Sequence, residues 1–480
     1  MTCYDLFKPT NAGSQKRRSC GRGDYPLSES LRQSPETAPS GSHPVLPDQA
    51  TIAAATSGTG FRAVLSNRNF LAIWVAQMAS QTAQNSLWYA LIIMVGHLTG
   101  ASPAGIGFTI ILVQLPTVLF SSVSGVFVDR FSKRLILVGT NVIRVFGVLA
   151  YLLFETNVGG LYAVTFLVAV VSQPFAPAEG STLPLLVYGE QLITANSLFQ
   201  MTFMASQAIG FAIAPIVIGL FGIRITLLVL AALFALSAAV LIPLPPVTDR
   251  RKAASAGNLR RLVVRTWGDL AEATRFVVDD PPLAVALLQI SLAPTLLLVL
   301  AEVGPAFLTH NLGIGQTSTS LFFLLAPAGL GLGIGMFILG QWGQRLRKDR
   351  LVLVSLIALG GTVIALAATT IISSFWHTLG AAGLPIPSGV QQTTIMVPIA
   401  ALLGIEVAFI NAPVQTIVQE RATPEVRGRV LALQQTLTAG LAIPPLILVG
   451  GIAAVAGVPA TLTLMGVAIV IVGLGIVYYS

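Results

Sequence analysis

The chain has 480 residues, 54% of them hydrophobic and only 10% charged, with a mean hydropathy of +0.81. Soluble domains carry roughly 25% charged residues, so most of this surface must face lipid. A net charge of +8 invites a nucleic-acid reading, which the placement of the basic residues excludes below, and the only two cysteines, Cys3 and Cys20, imply no disulfide framework.

Residues 1–60 are rich in Ser, Pro and Gly and show no apolar period. They read as a disordered cytoplasmic tail without the apolar core of a secretory signal. From Asn69 onward the chain reads as apolar stretches of about 20 residues, the length that crosses a ~30 Å hydrocarbon core. The expected spans are 70–96, 103–128, 135–154, 159–177, 194–220, 224–244, 283–307, 319–340, 351–372, 394–413, 429–450 and 456–478. The fold class is therefore an all-α integral membrane protein of twelve transmembrane helices. A charged stretch, 246–282, divides them into six-helix halves at 61–245 and 283–480, and 373–393 reads as an extended outer loop.

The first span carries Gln77, Gln81, Gln84 and Trp88, a spacing that puts all four on one helix face. Such a stripe either glues helices together or lines a polar cavity. Between the second and third spans stands Gly125-Val-Phe-Val-Asp129-Arg130-Phe-Ser132-Lys133-Arg134. Gly125 would let two helices approach closely, and Asp129 would accept hydrogen bonds from the orphan N–H groups of a neighbouring helix start. Arg130, Lys133 and Arg134 hold the turn on the positive side of the membrane. The motif recurs after the eighth span as Gly340, Arg345 and Lys348, with Gln344 in place of the acid. Likewise Gly210-Phe-Ala-Ile-Ala214-Pro215 in the fifth span returns as Gly440-Leu-Ala-Ile-Pro-Pro445 in the eleventh. Two parallel six-helix repeats related by an axis along the membrane normal follow. Gln200, Met204 and Gln207 share a face of the fifth span, an adaptable wall suited to amphipathic ligands.

Of the 27 Lys and Arg, all but Arg144 and Arg224 fall before the first span, in the hairpin, in the middle stretch or in two further loops of the same parity. The positive-inside rule then makes both termini and 246–282 cytoplasmic. The basic residues serve topology, and no nucleic-acid partner is expected. Three charged residues sit well within spans: Arg144, Glu302 and Glu406. Each costs about 2.5–3.5 kcal/mol at a helix centre and must find a partner or a cavity. The partner of Arg144 is expected to be Glu406 across the halves, backbone carbonyls or an anionic part of the substrate. Glu302, two turns from the outer end of its span, either faces the cavity or points into outer water. No phosphate-binding glycine motif, metal cluster or enzymatic nucleophile motif is present, so the chain reads as a non-enzyme without a cofactor.

The Gly125–Arg134 hairpin resembles the loop between helices 2 and 3 of major facilitator superfamily transporters, with Ser132 where the family usually has Gly. Phe175-Ala-Pro177-Ala, Leu183-Pro184-Leu-Leu, Leu192-Ile-Thr-Ala195-Asn196 and Pro424-x2-Arg427-Gly428-Arg429 resemble the drug:proton antiporter branch related to macrolide exporters. Gly210-x3-Ala214-Pro215 resembles the antiporter signature of helix 5, which normally ends Gly-Pro. The resemblance implies alternating access around a cavity lined by helices 1, 4, 7 and 10. It implies a monomer in the cell membrane that exports small amphipathic or drug-like molecules in exchange for protons. Glu406, then Glu302, are the expected proton carriers, and Gln77, Gln81, Gln84, Trp88 and Arg144 the expected substrate contacts. A lipid flippase, a siderophore or metabolite exporter, and a non-transporting sensor or scaffold stay open as alternatives.

Overall fold

A computed structural model describes residues 61–187, 191–245, 274–311, 322–342, 348–381, 392–421 and 427–479, with three positions between 268 and 272. The tail, most of the middle stretch and Arg345 lie outside the described residues. Among the described residues these helices follow one another: α1 Phe61–Leu65, α2 Arg68–Leu98, α3 Pro103–Arg130, α4 Lys133–Leu153, α5 Val158–Ser172, α6 Phe175–Leu186 and α7 Gln191–Leu241. Then come α8 Pro281–Ala306, α9 Phe322–Trp342, α10 Lys348–Ala381, α11 Gln392–Arg421, α12 Arg427–Ala456 and α13 Val458–Tyr479.

Local chemistry sets the ends. Asn67 accepts hydrogen bonds from the N–H groups of Asn69 and Phe70 at the start of α2, and its amide donates to Leu186 O at the end of α6. Ser132 caps α4 by accepting from Leu135 N at 3.2 Å, a task that glycine at this position lacks the side chain to perform. Gly222, at φ 77°, breaks α7 into two arms, and Gly457, at φ 81°, separates α12 from α13. Both conformations favour glycine.

Ten of these segments are long and apolar enough to cross a membrane. The remaining two expected spans, α2 and the first arm of α7, have the length but are more polar. They pack on each other. Trp74 Nε1 donates to Thr202 Oγ1 at 2.7 Å, Gln77 Nε2 to Phe199 O at 3.3 Å and Ser86 Oγ to Gly210 O at 3.1 Å. Elsewhere the surface is inverted relative to a soluble protein. Leu153, Leu220 and Val455 are exposed, whereas Asn141, Arg144 and Glu302 are buried, as lipid demands.

Packing pairs recur along the chain. α2 lies on α7 and α8 on α12; α3 lies on α5 and α9 on α11; α4 lies on α7 and α10 on α13. α3 with α12, and α7 with α9, join the first set of helices to the second. Small residues set the closest approaches. A methyl group on Gly360 would fall 2.7 Å from Gly466 O and 3.0 Å from Val470 N, and one on Gly466 would fall 2.7 Å from Gly360 O.

Two expectations need correction. The fourth span does not end at 177: it breaks at Gln173–Pro174 and resumes as α6. The expected outer loop 373–393 is helical as far as Ala381.

The glycine contacts give a paired test. Gly360→Ala should lower the thermal midpoint of the detergent-solubilised protein, because overpacking costs about 1–3 kcal/mol. Gly361→Ala, whose methyl group meets nothing within 4 Å, should leave it unchanged or raise it slightly. Equal midpoints for the two variants would refute the tight α10–α13 seam.

Candidate functional site

The α2 stripe divides between two tasks. Gln77 is buried and bonds Phe199 O of α7, with its own Oε1 lacking a partner. Gln81 is half-buried, and its carbonyl receives Asn85 Nδ2. Gln84 and Trp88 line a pocket of about 60 Å³ between α2, α3, α4 and α5, together with Tyr151, Thr165, Ser172 and Gln173. Gln84 Oε1 has no partner. Gln173 Nε2 donates to Thr117 Oγ1, and Tyr151 OH to Thr165 Oγ1, each at 3.2 Å. Sites for drug-sized ligands run to about 300–1,000 Å³, so these walls must part before such a ligand enters. On α7, Gln200 is exposed and Gln207 half-buried; the side chain of Met204 lies outside the description.

Arg144 sits behind that pocket. Its Nε donates to Ser172 Oγ at 2.9 Å and its Nη1 to Ser80 Oγ at 3.0 Å. Its guanidinium lies 4.6 Å from the ring centre of Phe175 and 5.6 Å from that of Phe234, both within cation–π range. Its acidic counterpart is Glu179 on α6, also buried, whose charge acts on Arg144. This corrects the expected pairing with Glu406, and Glu179 is an intramembrane acid that the sequence reading missed.

Glu406 is buried on α11, and its Oε1 accepts from Thr362 Oγ1 of α10 at 2.8 Å, while Oε2 has no partner. Its known contact therefore stays inside the second set of helices. Glu302 of α8 is wholly buried, and among the described residues both its carboxylate oxygens lack a partner. The reading that it points into outer water is wrong. Its carboxyl group lies against Gly107 of α3, where a methyl group would overlap it. A methyl group on Gly450 of α12 would come within 2.9 Å of Oε1.

The hairpin is partly described. α3 runs through Asp129 and Arg130, whose side chains lie outside the description. Lys133 is buried and its Nζ donates to Ser181 O on α6 at 3.2 Å, so it ties α4 to α6; Arg134 is half-buried. A methyl group on Gly125 or Gly340 meets nothing within 4 Å. Among the described residues, therefore, no neighbouring helix comes close enough to either position to require glycine. The side chain of Lys348 is not described. In the helix-5 signature, Ala214 and Pro215 are buried. A methyl group on Gly210 would approach Asn85 Cβ to 2.6 Å, which makes Gly210 the contact point of α7 on α2.

Between α4 and α5 and at the break in α7, Glu155 and Arg224 form a two-point ion pair, with Arg224 Nε 2.9 Å from Glu155 Oε2. Hydrogen bonding from Arg224 holds the Glu155 carboxyl below the usual range. Among the described residues no cluster of His, Cys, Asp and Glu could hold a metal ion.

Removing one of two buried opposite charges strands the other, at a cost of up to about 3–5 kcal/mol; Arg144 and Glu179 influence each other through space, without a direct ion pair. Arg144→Met should therefore lower the thermal midpoint strongly, and Arg144→Met with Glu179→Leu should recover most of the loss. Additive losses in the double variant would show that the two charges do not depend on each other.

A family model described as Major Facilitator Superfamily matches residues 73–445. Macrolide efflux protein A of Streptococcus pyogenes is 24% identical over 382 residues, 78% of this chain and 86% of that protein. The uncharacterized MFS-type transporter YfiS of Bacillus subtilis (strain 168) is 23% identical over 387 residues, 80% and 87% of the two chains. YkuC, an uncharacterized MFS-type transporter of the same strain, is 26% identical over 165 residues, which cover 34% of this chain and 38% of that one. Among solved structures, nucleoside transporter NupG superposes with a TM-score of 0.62 at 14% identity, over 85% of this chain and 98% of that one. The POT family transporter PepTSo gives 0.61 at 14%, over 86% and 97%. Helices that bury their charges and expose their leucines, a fold shared with solved transporters and a family match over most of the length agree: the chain belongs to the Major Facilitator Superfamily and is a multi-pass membrane transporter, not an enzyme.

Proposed function

We propose that this transporter exports small amphipathic molecules of the macrolide kind in exchange for protons, by alternating access of two six-helix halves, 61–245 and 283–480. The likeness to macrolide efflux protein A over 78% of the chain carries the choice of cargo. The pocket beside Trp88 and Gln84 offers an aromatic face and amide groups to such a molecule. α2 and the first arm of α7 complete twelve crossings, with both termini and 246–282 cytoplasmic. The recurrent packing pairs support the two halves.

The coupling proton is assigned to Glu406. One oxygen is anchored by Thr362 and the other has no partner, so the carboxyl group is held in place with a position open for a proton. In inverted vesicles, an imposed proton gradient should drive uphill accumulation of a labelled macrolide. Glu406→Gln should lose that accumulation while still equilibrating substrate down its own gradient. Uphill transport by the Gln variant would remove Glu406 from this role, and absence of macrolide movement in the wild type would remove the cargo.

The hairpin is assigned the cytoplasmic gate. Ser121 of α3 bonds Thr436 of α12 at 2.9 Å, and the two helices run in opposite directions. Eight residues further down each one stand Asp129 and Gly428, so this register supports Asp129 as the acid that caps the start of α12. A carboxylate there contributes about 0.3–2 kcal/mol, enough to bias two nearly balanced states. Asp129→Asn should lower the transport rate while expression and substrate binding hold. A normal rate would reduce the hairpin to a simple turn.

A further inference from the structure

Fourteen residues the other way along the same α3–α12 register stand Gly107 and Gly450, and between them lies the carboxyl group of Glu302. Three elements from both sides of the molecule meet there, and the side chain that crosses between them is an acid with no hydrogen-bond partner. The two glycines leave the room that this group fills. A methyl group on either would contact it.

Charge near this point is scarce. The elements packed against α8 are α2, α3, α11, α12 and the π turn Phe307–Asn311. Their titratable residues are Arg68, Tyr89 and His97 on α2, Asp129 and Arg130 on α3, and Glu406, Glu420 and Arg421 on α11. Arg427 and Arg429 stand on α12, and His310 in the π turn. Asp129 and Arg427 lie more than 20 residues along their helices from the glycines, about 30 Å at 1.5 Å per residue. Among the described residues no hydrogen bond or ion pair reaches the Glu302 carboxyl group.

We propose that Glu302 is a proton-operated latch at the end of the transporter opposite the hairpin. This rests on the transporter reading and adds a second acid with a separate task. Protonated, the carboxyl group is uncharged and fits the glycine cradle, so the Pro103 end of α3 and the Gly450 region of α12 stay together. When the proton leaves, a bare carboxylate without partner or water is strongly disfavoured in that position. The two helices then part and water reaches it. Closure at this end therefore binds a proton, and raising the pH opposes closure. With cytoplasmic termini this end faces outward, and the acidic side supplies the proton that closes it.

The test reads conformation and needs no cargo, so it can fail or succeed independently of the macrolide assignment. The full-length protein, with Cys3 and Cys20 replaced by Ser and spin labels at Ser102→Cys and Ala454→Cys, is reconstituted in lipid vesicles. Distances between the labels are measured by pulsed electron resonance from pH 5 to 9. The ratio of short to long distances should fall with rising pH, by up to about tenfold per unit, the limit for one proton. Glu302→Gln should keep the short distance across the range. Gly107→Ala, which pushes a methyl group into the carboxyl position, should favour the long distance even at pH 5. A Gln variant that titrates like wild type would overturn the latch, as would a ratio that follows sodium at fixed pH. A Gly107→Ala protein that closes normally would overturn the cradle.

Discussion

Hydrocarbon offers no hydrogen bonds, so each polar group in the spans must be satisfied by another part of the same chain. That constraint explains the central seam of the molecule. α2 and the first arm of α7 are too polar to present all round to lipid, and they settle against each other through Trp74, Gln77 and Ser86. Ser237, from the second arm of α7, adds a bond to Ala76 O at 3.0 Å. The helices with the weakest claim to a membrane thus form a well hydrogen-bonded interface, and the apolar ones are left to face outward. Gly210 lets the seam close, because its backbone both accepts from Ser86 and touches the α2 backbone.

The three buried acids solve the same problem in different ways. Glu179 sits in the field of Arg144, whose guanidinium is itself held by two serines and two aromatic rings. Glu406 has one hydrogen bond, and Glu302 has none.

Hydrophobic periodicity and length made the spans legible, because α-helices are the economical way through lipid and their lengths are set by its thickness. The expected fourth span ends at 177, and proline usually ends a helix. Here Pro177 stands in the first turn of a new helix, where its missing N–H is not needed, so α6 continues and carries Glu179 into the interior. Composition also misled at 373–381, where a Ser- and Thr-containing stretch simply prolongs α10. For Glu302 the depth was legible and the direction was not. Its cradle is made by Gly107 and Gly450, far away in the chain and invisible to local spacing. The polar stripe on α2 was readable as one face, yet not the fact that Gln77 and Gln84 meet different neighbours along it.

The α2–α7 seam bears on how the protein is made. Trp74 and its partner Thr202 are 128 residues apart, and ribosomes add about 5–20 residues per second. For roughly 6–26 s after its synthesis, α2 therefore sits at the translocon without the helix that neutralises its polar face. Its retention during that interval falls to the lipid, the insertion machinery or the α3–α6 segments that emerge meanwhile, so the order of translation is itself part of the folding problem this sequence solves.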